Sequence, residues 1–298
     1  MSHPTTRRTI LAATATFAVG GPIASSAQAQ DATPGSTLAG TPQTANLETN
    51  RQLVAEAADA FFNQHDASAV DRYVSPNYVQ HSTLVGDGRD ALRDLVMGLG
   101  GGVSYEAVRL IADGDLVAAH GIYTGFGEVP LVAFDIFRVQ DGLLAEHWDG
   151  LTAQTPPNPS GHTQTDGPTE ITNSDETNAN RTVAEGFVDI ILIGGEADRI
   201  TEFVSAEAYT QHNSQIADGL NGLGTALASL ADQGLELVYN ARHRTVAEGE
   251  FVLIQSDGDF SGPVVYYDLF RVEEGLIVEH WDVIQPIPAD TPHDNGQF

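Results

Sequence analysis

The chain contains no cysteine, which excludes disulfides, thiolate metal ligands and cysteine nucleophiles. Lysine is absent as well: all 13 basic residues are arginines, set against 41 acids, for a formal net charge of −28. A surface this negative repels nucleic acid and anionic membrane, so neither is an expected partner. Long apolar runs are missing too. The run Ile10 to Val19 is only ten residues, and no later segment approaches the ~18 needed to cross a bilayer. What is abundant is carboxylate, which fits a halophilic protein kept soluble in high salt by hydrated acids. With 298 residues, 41% hydrophobic and 18% charged, the chain reads as globular, with about two domains.

The N-terminus reads as an export signal. Arg7-Arg8 precedes the mild apolar run, and a small-residue stretch ends in Ala27-Gln28-Ala29. That is the charged, apolar and A-x-A order of a signal peptide of twin-arginine type over residues 1–29. The expected location is therefore secreted, extracellular or periplasmic, with no membrane contact after cleavage. Loss of Arg7 and Arg8, with no acid removed, would take the net charge from −28 to −30. Residues 30–48, rich in Thr, Pro, Gly and Ala, read as a flexible tether.

The remainder is one unit written twice. Asn50-Arg51 recurs as Asn180-Arg181, and Tyr78-Val79-Gln80-His81 as Tyr209-Thr210-Gln211-His212. Asp135-Ile136-Phe137-Arg138-Val139 returns as Asp268-Leu269-Phe270-Arg271-Val272, and Glu146-His147-Trp148-Asp149 as Glu279-His280-Trp281-Asp282. Four ordered matches at offsets of 130 to 133 residues mean duplication with short loop changes. The expected plan is a first domain over 49–152, a Pro/Thr-rich linker over 153–176, a second domain over 177–289 and a tail over 290–298.

Each copy begins with helical periodicity. Leu53, Ala57, Phe61 and Val54, Ala58, Phe62 form one apolar stripe, repeated by Val183, Phe187, Ile191 and Val188, Leu192. A second short helix (67–74; 197–204), the Tyr-x-Gln-His segment and a third helix (89–99; 220–230) follow. Four strand-like runs come next, at 103–111, 116–123, 131–139 and 143–151, punctuated by Asp113-Gly114 and Asp141-Gly142. Helices first and hairpins after predict an α+β fold of two tandem cone-shaped domains. Each has about three N-terminal helices packed on a strongly curved, mostly antiparallel sheet. A sheet curled around helices encloses an apolar cavity, the natural place for function.

Alternation along the last strand puts His147 and Asp149 on one face, ~6.6 Å apart, with Trp148 on the other. His280 and Asp282 repeat the pair. Asp135 shares a face with Ala133 and Phe137, an acid among apolar neighbours; His120 ends a strand where the second copy has Gln255. A buried carboxyl with a raised pKa is a usable general acid/base, whereas the same residues also suit a buried structural network.

These motifs resemble the SnoaL-like family, the polyketide-cyclase branch of the nuclear-transport-factor-2-like superfamily, across nearly all of both repeats. The resemblance implies a deep pocket in each domain and metal-free, cofactor-free aldol chemistry, with an acid/base Asp matching Asp149 and Asp282. The cyclases carry a His where this chain has Asp135 and Asp268. The expected catalytic set is Asp149, His147 and His81, with Asp282, His280 and His212 in the second copy. The expected substrate-contact set is Tyr78, His120, Asp135, Phe137 and Trp148, with Tyr209, Gln255, Asp268, Phe270 and Trp281. No metal and no cofactor is expected. The leading reading is a lyase, cyclase or isomerase acting on a small hydrophobic carbonyl compound; the alternative is a non-catalytic, secreted small-molecule-binding protein. The two repeats are expected to pack as an intramolecular pseudo-dimer.

Overall fold

The structure, a computed structural model, describes residues 47–298, so the export signal and all but the end of the tether lie outside the described residues. Helix α1 (Leu47–Ala58) starts two residues ahead of the expected boundary and runs on through a π-helical turn, Asp59–Asn63. Val54, Ala57, Ala58 and Phe61 of the predicted stripe are buried. A 3-10 turn (Ala67–Ala69) and α2 (Val70–Tyr73) lead into strand β1 (Val74–Gln80), then α3 (Gly88–Gly98). Four strands complete the half: β2 (Ser104–Asp113), β3 (Leu116–Thr124), β4 (Leu131–Gln140) and β5 (Leu143–Ala153). The second half repeats the order with α4 (Thr177–Gly186), β6 (Thr210–Gln211), α5 (Gly219–Asp232), β7 (Val238–Glu248), β8 (Phe251–Asp259), β9 (Pro263–Glu273) and β10 (Leu276–Pro286). No helix among the described residues is long and apolar enough to cross a membrane.

Both sheets are five-stranded and have equivalent orders, β1-β5-β4-β3-β2 and β6-β10-β9-β8-β7. The outer strands β1 and β6 run parallel to β5 and β10; every other pairing is antiparallel. The Tyr-x-Gln-His segment, read as a connection in the sequence, is therefore an edge strand in the first half, where Pro76 needs no ladder donor. At the β4–β5 hairpin Asp141 and Gly142 have φ of +53° and +75°, the two positive values that match the right-handed twist of the strands.

Each sheet of the pair is buried on both faces. In the first half one face meets the helices through Val54, Phe61, Val70, Val117 and Leu144. The other face packs on the second sheet, where Phe134, Ile136 and Trp148 join Leu253, Tyr267, Leu269 and Trp281 in one core. Contacts across it are reciprocal. Arg109 of β2 lies 4.3 Å over Trp281, and Arg244 of β7 lies 3.7 Å over Trp148. Arg51 pairs with Glu248, and its repeat counterpart Arg181 pairs with Asp113 at 2.6 Å.

The segments leaving each sheet also cross over. After β5, Asn158 donates to the Gln211 and Ile216 carbonyls at 2.6 and 2.9 Å, and Arg109 donates to the carbonyls of Thr165, Asp166 and Pro168. After β10, the tail returns to the first half: Asn295 donates to the Gln80 carbonyl at 2.9 Å, and His293 Nε2 donates to that of Ser82 at 2.8 Å.

Candidate functional site

The helix-facing side of the first sheet encloses a cavity of about 100 Å³. Val54, Ala58, Asp59 and Asn63 line it from the helical side, and Tyr105, Ala119, Tyr123, Asp135 and Phe137 from the strands. Strand pairing sets Ala119 opposite Asp135 and Asp135 opposite Asp149, so alternation turns all three to the same side.

Asp135 is a hub. The hydroxyls of Tyr105 and Tyr123 donate to it at 3.4 and 3.3 Å, and His147 Nε2 lies 3.1 Å from Oδ1. The other ring nitrogen, His147 Nδ1, is 2.8 Å from Gln80 Oε1. That oxygen already accepts the backbone N–H groups of His81 and Ser82, which identifies it as the amide oxygen and makes Nδ1 a donor. A proton must then sit between His147 Nε2 and Asp135, on one or the other. Burial drives the phenols of Tyr105 and Tyr123 well above their ordinary range, and the charge of Asp135 pushes the same way, so they act as neutral donors.

Asp149 completes the group. Its ligand atom and those of Asp135 and His147 all lie within 4.8 Å of one another. Burial pushes the Asp149 carboxyl up to about 6, reinforced by Asp135 and opposed by His147 and Ser82. Its Oδ1 is buried without a hydrogen-bond partner among the described residues. Both nitrogens of His147 are engaged, by Gln80 and Asp135, and Asp149 stands beside this hydrogen-bonded pair.

The second half holds the same constellation in a different state. His280 Nε2 lies 3.0 Å from Asp268, but Nδ1 faces the amide nitrogen of Gln211 at 3.1 Å. Asp282 is gripped on both oxygens by Asn213 at 2.8 and 3.0 Å, where the first half has Ser82 beside Asp149. Tyr239 donates to Asp268, and Tyr266, counterpart of Ala133, stacks 4.0 Å from Tyr239. The Tyr239–Tyr266 pair thus stands where the first half has Tyr105 and Tyr123, 4.3 Å apart, and Asp282 is more fully paired than Asp149.

Asp135, His147, Asp149 and Phe137 of the expected set lie together on the cavity side of the sheet, and the hydroxyl of Tyr78 accepts from Gln80 Nε2 at 3.3 Å. Asp268, His280, Asp282, Phe270 and Tyr209 are their second-half equivalents. The structure separates the rest from the cavity. His120, Trp148, Gln255 and Trp281 alternate onto the opposite faces: His120 stacks on Phe134 at 4.3 Å and meets Arg109, and Gln255 binds the Tyr267 hydroxyl. His81 and His212 stack on Trp148 and Trp281 at 5.0 and 4.5 Å, with Nε2 on Glu146 and Glu279. Their side chains serve the contact between halves. Tyr105, Tyr123, Asn63 and Ala119 line the cavity and were not singled out in the sequence, where they read as ordinary strand and helix positions.

Three comparisons bear on this geometry. Residues 54–147 match the SnoaL-like domain. Among solved structures, TsrD from Streptomyces laurentii is 23% identical over 35% of this chain and 88% of its own, with a TM-score of 0.31. A candidate ketosteroid isomerase from Kribbella flavida is 20% identical over 38% and 85%, at 0.34, and a candidate polyketide cyclase from Bacillus cereus 19% identical over 35% and 74%, at 0.31. No curated protein matches the chain.

Proposed function

We propose, for a chain whose residues 54–147 match the SnoaL-like domain, a cofactor-free acid/base activity of cyclase, lyase or isomerase type, carried by the first half. The reading rests above all on one observation: a buried carboxyl held at about 6, Asp149, sits beside His147 and beside Asp135, which lines the cavity. A group titrating there is half-ionised at about pH 6 and mostly a carboxylate base at neutrality, while its proton is still held tightly enough to be given back.

The chemistry follows from the set. A carboxylate removes a proton from carbon next to a substrate carbonyl, leaving an enolate; the Tyr105 and Tyr123 hydroxyls, which donate to Asp135 in the free protein, turn from it to meet the enolate oxygen. The enolate then attacks a second carbonyl within the molecule, forming a carbon–carbon bond, or is reprotonated at another carbon, shifting a double bond. The carboxyl proton returns to the product in either case. His147 holds Asp135 through Nε2 and is itself oriented by Gln80 through Nδ1, which fixes the groups beside Asp149. At about 100 Å³ the cavity is well below the ~300–1,000 Å³ of sites for drug-sized ligands, so it takes a small hydrophobic carbonyl compound or the reacting end of a larger one. In this reading the protein is exported and its halves form an intramolecular pseudo-dimer with the second half as a partner domain.

The test is a proton-exchange assay on small ketones and aldehydes, following loss of deuterium next to the carbonyl by NMR. Exchange that falls ~10²-fold or more in both Asp135→Asn and Asp149→Asn, with folding intact, supports the reading. Tight binding of a carbonyl ligand without exchange, unchanged in both variants, replaces it with the non-catalytic binder.

A further inference from the structure

A second cluster, remote from the cavity, gathers His162, Asp166 and His212 where the connecting segment crosses the second half. One ligand atom from each lies within 4.8 Å of the others. His212 Nδ1 is 2.7 Å from Asp166 Oδ1, and His162 Nδ1 is 3.6 Å from Asp166 Oδ2. The carbonyl oxygen of Thr163 also faces His212 Nδ1, at 2.8 Å.

The far nitrogen of each ring is already committed. His212 Nε2 lies 2.8 Å from Glu279 Oε1, and the same carboxylate accepts from Arg271 Nε at 2.6 Å through its other oxygen. His162 Nε2 lies 3.2 Å from Asp218 Oδ2. A carboxylate on the distal N–H is the arrangement that fixes the tautomer of a metal-ligating histidine and raises its basicity. It leaves both Nδ1 lone pairs directed at Asp166. Four electron-rich atoms thus converge: two imidazole nitrogens, a carboxylate and a backbone carbonyl. His81, the counterpart of His212, makes the contrast. Its Nδ1 faces the single carbonyl oxygen of Gly296 at 2.9 Å, a demand met by one proton, with no second imidazole or carboxylate beside it.

We propose that His162, Asp166 and His212, with the Thr163 carbonyl, form a binding site for one divalent transition-metal ion of the zinc class. Imidazole with carboxylate suits zinc, cobalt, nickel or copper, whereas magnesium and calcium prefer all-oxygen sets. The ligand atoms of a tetrahedral zinc ion, bound at about 2.0–2.1 Å, lie about 3.3 Å apart. The 2.7 and 3.6 Å separations here bracket that spacing, so sub-ångström shifts complete it. The ion would fasten the connecting segment onto the second half. Asp166 is well suited to transmit this, because its carbonyl accepts from Arg109 of the first half and from Trp281 of the second. Neither the cavity nor its carboxyls take part, so the site stands apart from the proposed chemistry.

The experiment is calorimetric titration of the chelator-treated whole chain with zinc, with cobalt(II) as a visible-absorption probe and magnesium as control. One zinc per chain with micromolar or tighter affinity is expected, with a rise in melting temperature and no response to magnesium. His162→Ala and Asp166→Asn change side chains 34% and 44% exposed. Each variant should fold normally and weaken zinc binding about tenfold or more. Absence of zinc and cobalt binding would show that protons alone fill the cluster and overturns the proposal. Stoichiometric binding that both variants retain at full strength overturns it equally, by placing the ion elsewhere.

Discussion

At the scale of the residue, Asp149 has a sign that can be measured. Burial pushes its carboxyl up to about 6 in the folded protein, above the ordinary carboxylate range near 4. A raised carboxyl pKa means the folded state holds the proton more tightly than the unfolded chain does. Stability from this group is therefore fully present below pH ~4 and declines as pH rises to ~6, by at most about 3 kcal/mol. Asp149→Asn cannot ionise, so this decline should vanish and the variant should equal or exceed the parent in stability at neutral pH. Denaturant melts at pH 4, 5, 6 and 7 read it directly; a variant that loses stability uniformly across that range would instead make Asp149 a structural anchor. Alternation already placed His147 and Asp149 together in the sequence, and Asp135 stood out as an acid among apolar neighbours. What the sequence left hidden was which face of the sheet meets the helices. Both faces are apolar because both are buried, so His120 and Trp148 look as inward as Asp135 until the second sheet is in place. The tyrosines that clasp Asp135 are hidden for a related reason, since Tyr is a common strand residue and its hydroxyl partner lies on another strand.

At the scale of the element, the repeats show how one framework gives two interiors. Their hairpin turns and helix positions were legible because hairpin glycines and the helical stripe recur at nearly constant offset; the edge strands β1 and β6 were not. The cavity was not, because it depends on small residues facing one another across strands. In the first half Ala119 lies opposite Asp135 and lines the cavity, and Ala133 packs against Tyr105 and Tyr123, where the second half has Tyr266 against Tyr239. Ala119→Val should add two methyl carbons to the cavity while keeping the strand's preference for branched side chains. The expected result is a melting temperature close to the parent, with kcat/KM for the proton-exchange substrate lowered about tenfold or more, the scale of one or two methyl groups in a tight pocket. Unchanged kinetics would mean that substrate is handled elsewhere.

At the scale of the whole molecule, the reciprocal crossing of the two trailing segments binds each half's site loop to the other half. The edge-strand glutamine is the link. Gln80 orients His147 through its side chain, and its own carbonyl is held by Asn295 from the tail. His81 Nδ1 meets the carbonyl of Gly296, and Phe298 closes the strap by stacking 3.9 Å from His243. The likeness of the two halves was readable in the sequence as recurring motifs, and their sheets share one strand order. Their interlock was not readable, because Pro- and Thr-rich segments carry no periodicity to show where they dock. Removing residues 291–298 deletes four hydrogen bonds between tail and body, at His81, Ser82, Gln80 and Gln255. At ~1 kcal/mol each the loss is about 4 kcal/mol, enough to lower the melting temperature visibly while the shared core keeps the transition single. The truncation should also reduce kcat more than it raises KM, since it frees the loop that orients His147 and leaves the cavity walls intact. Asn295→Ala, which loosens the Gln80 carbonyl and the contact with Asp87, should show the same kinetic split with a far smaller thermal cost. If truncation costs stability while Asn295→Ala and the truncated chain both keep parental kcat, the tail is a structural clasp alone and the first half's site stands without it.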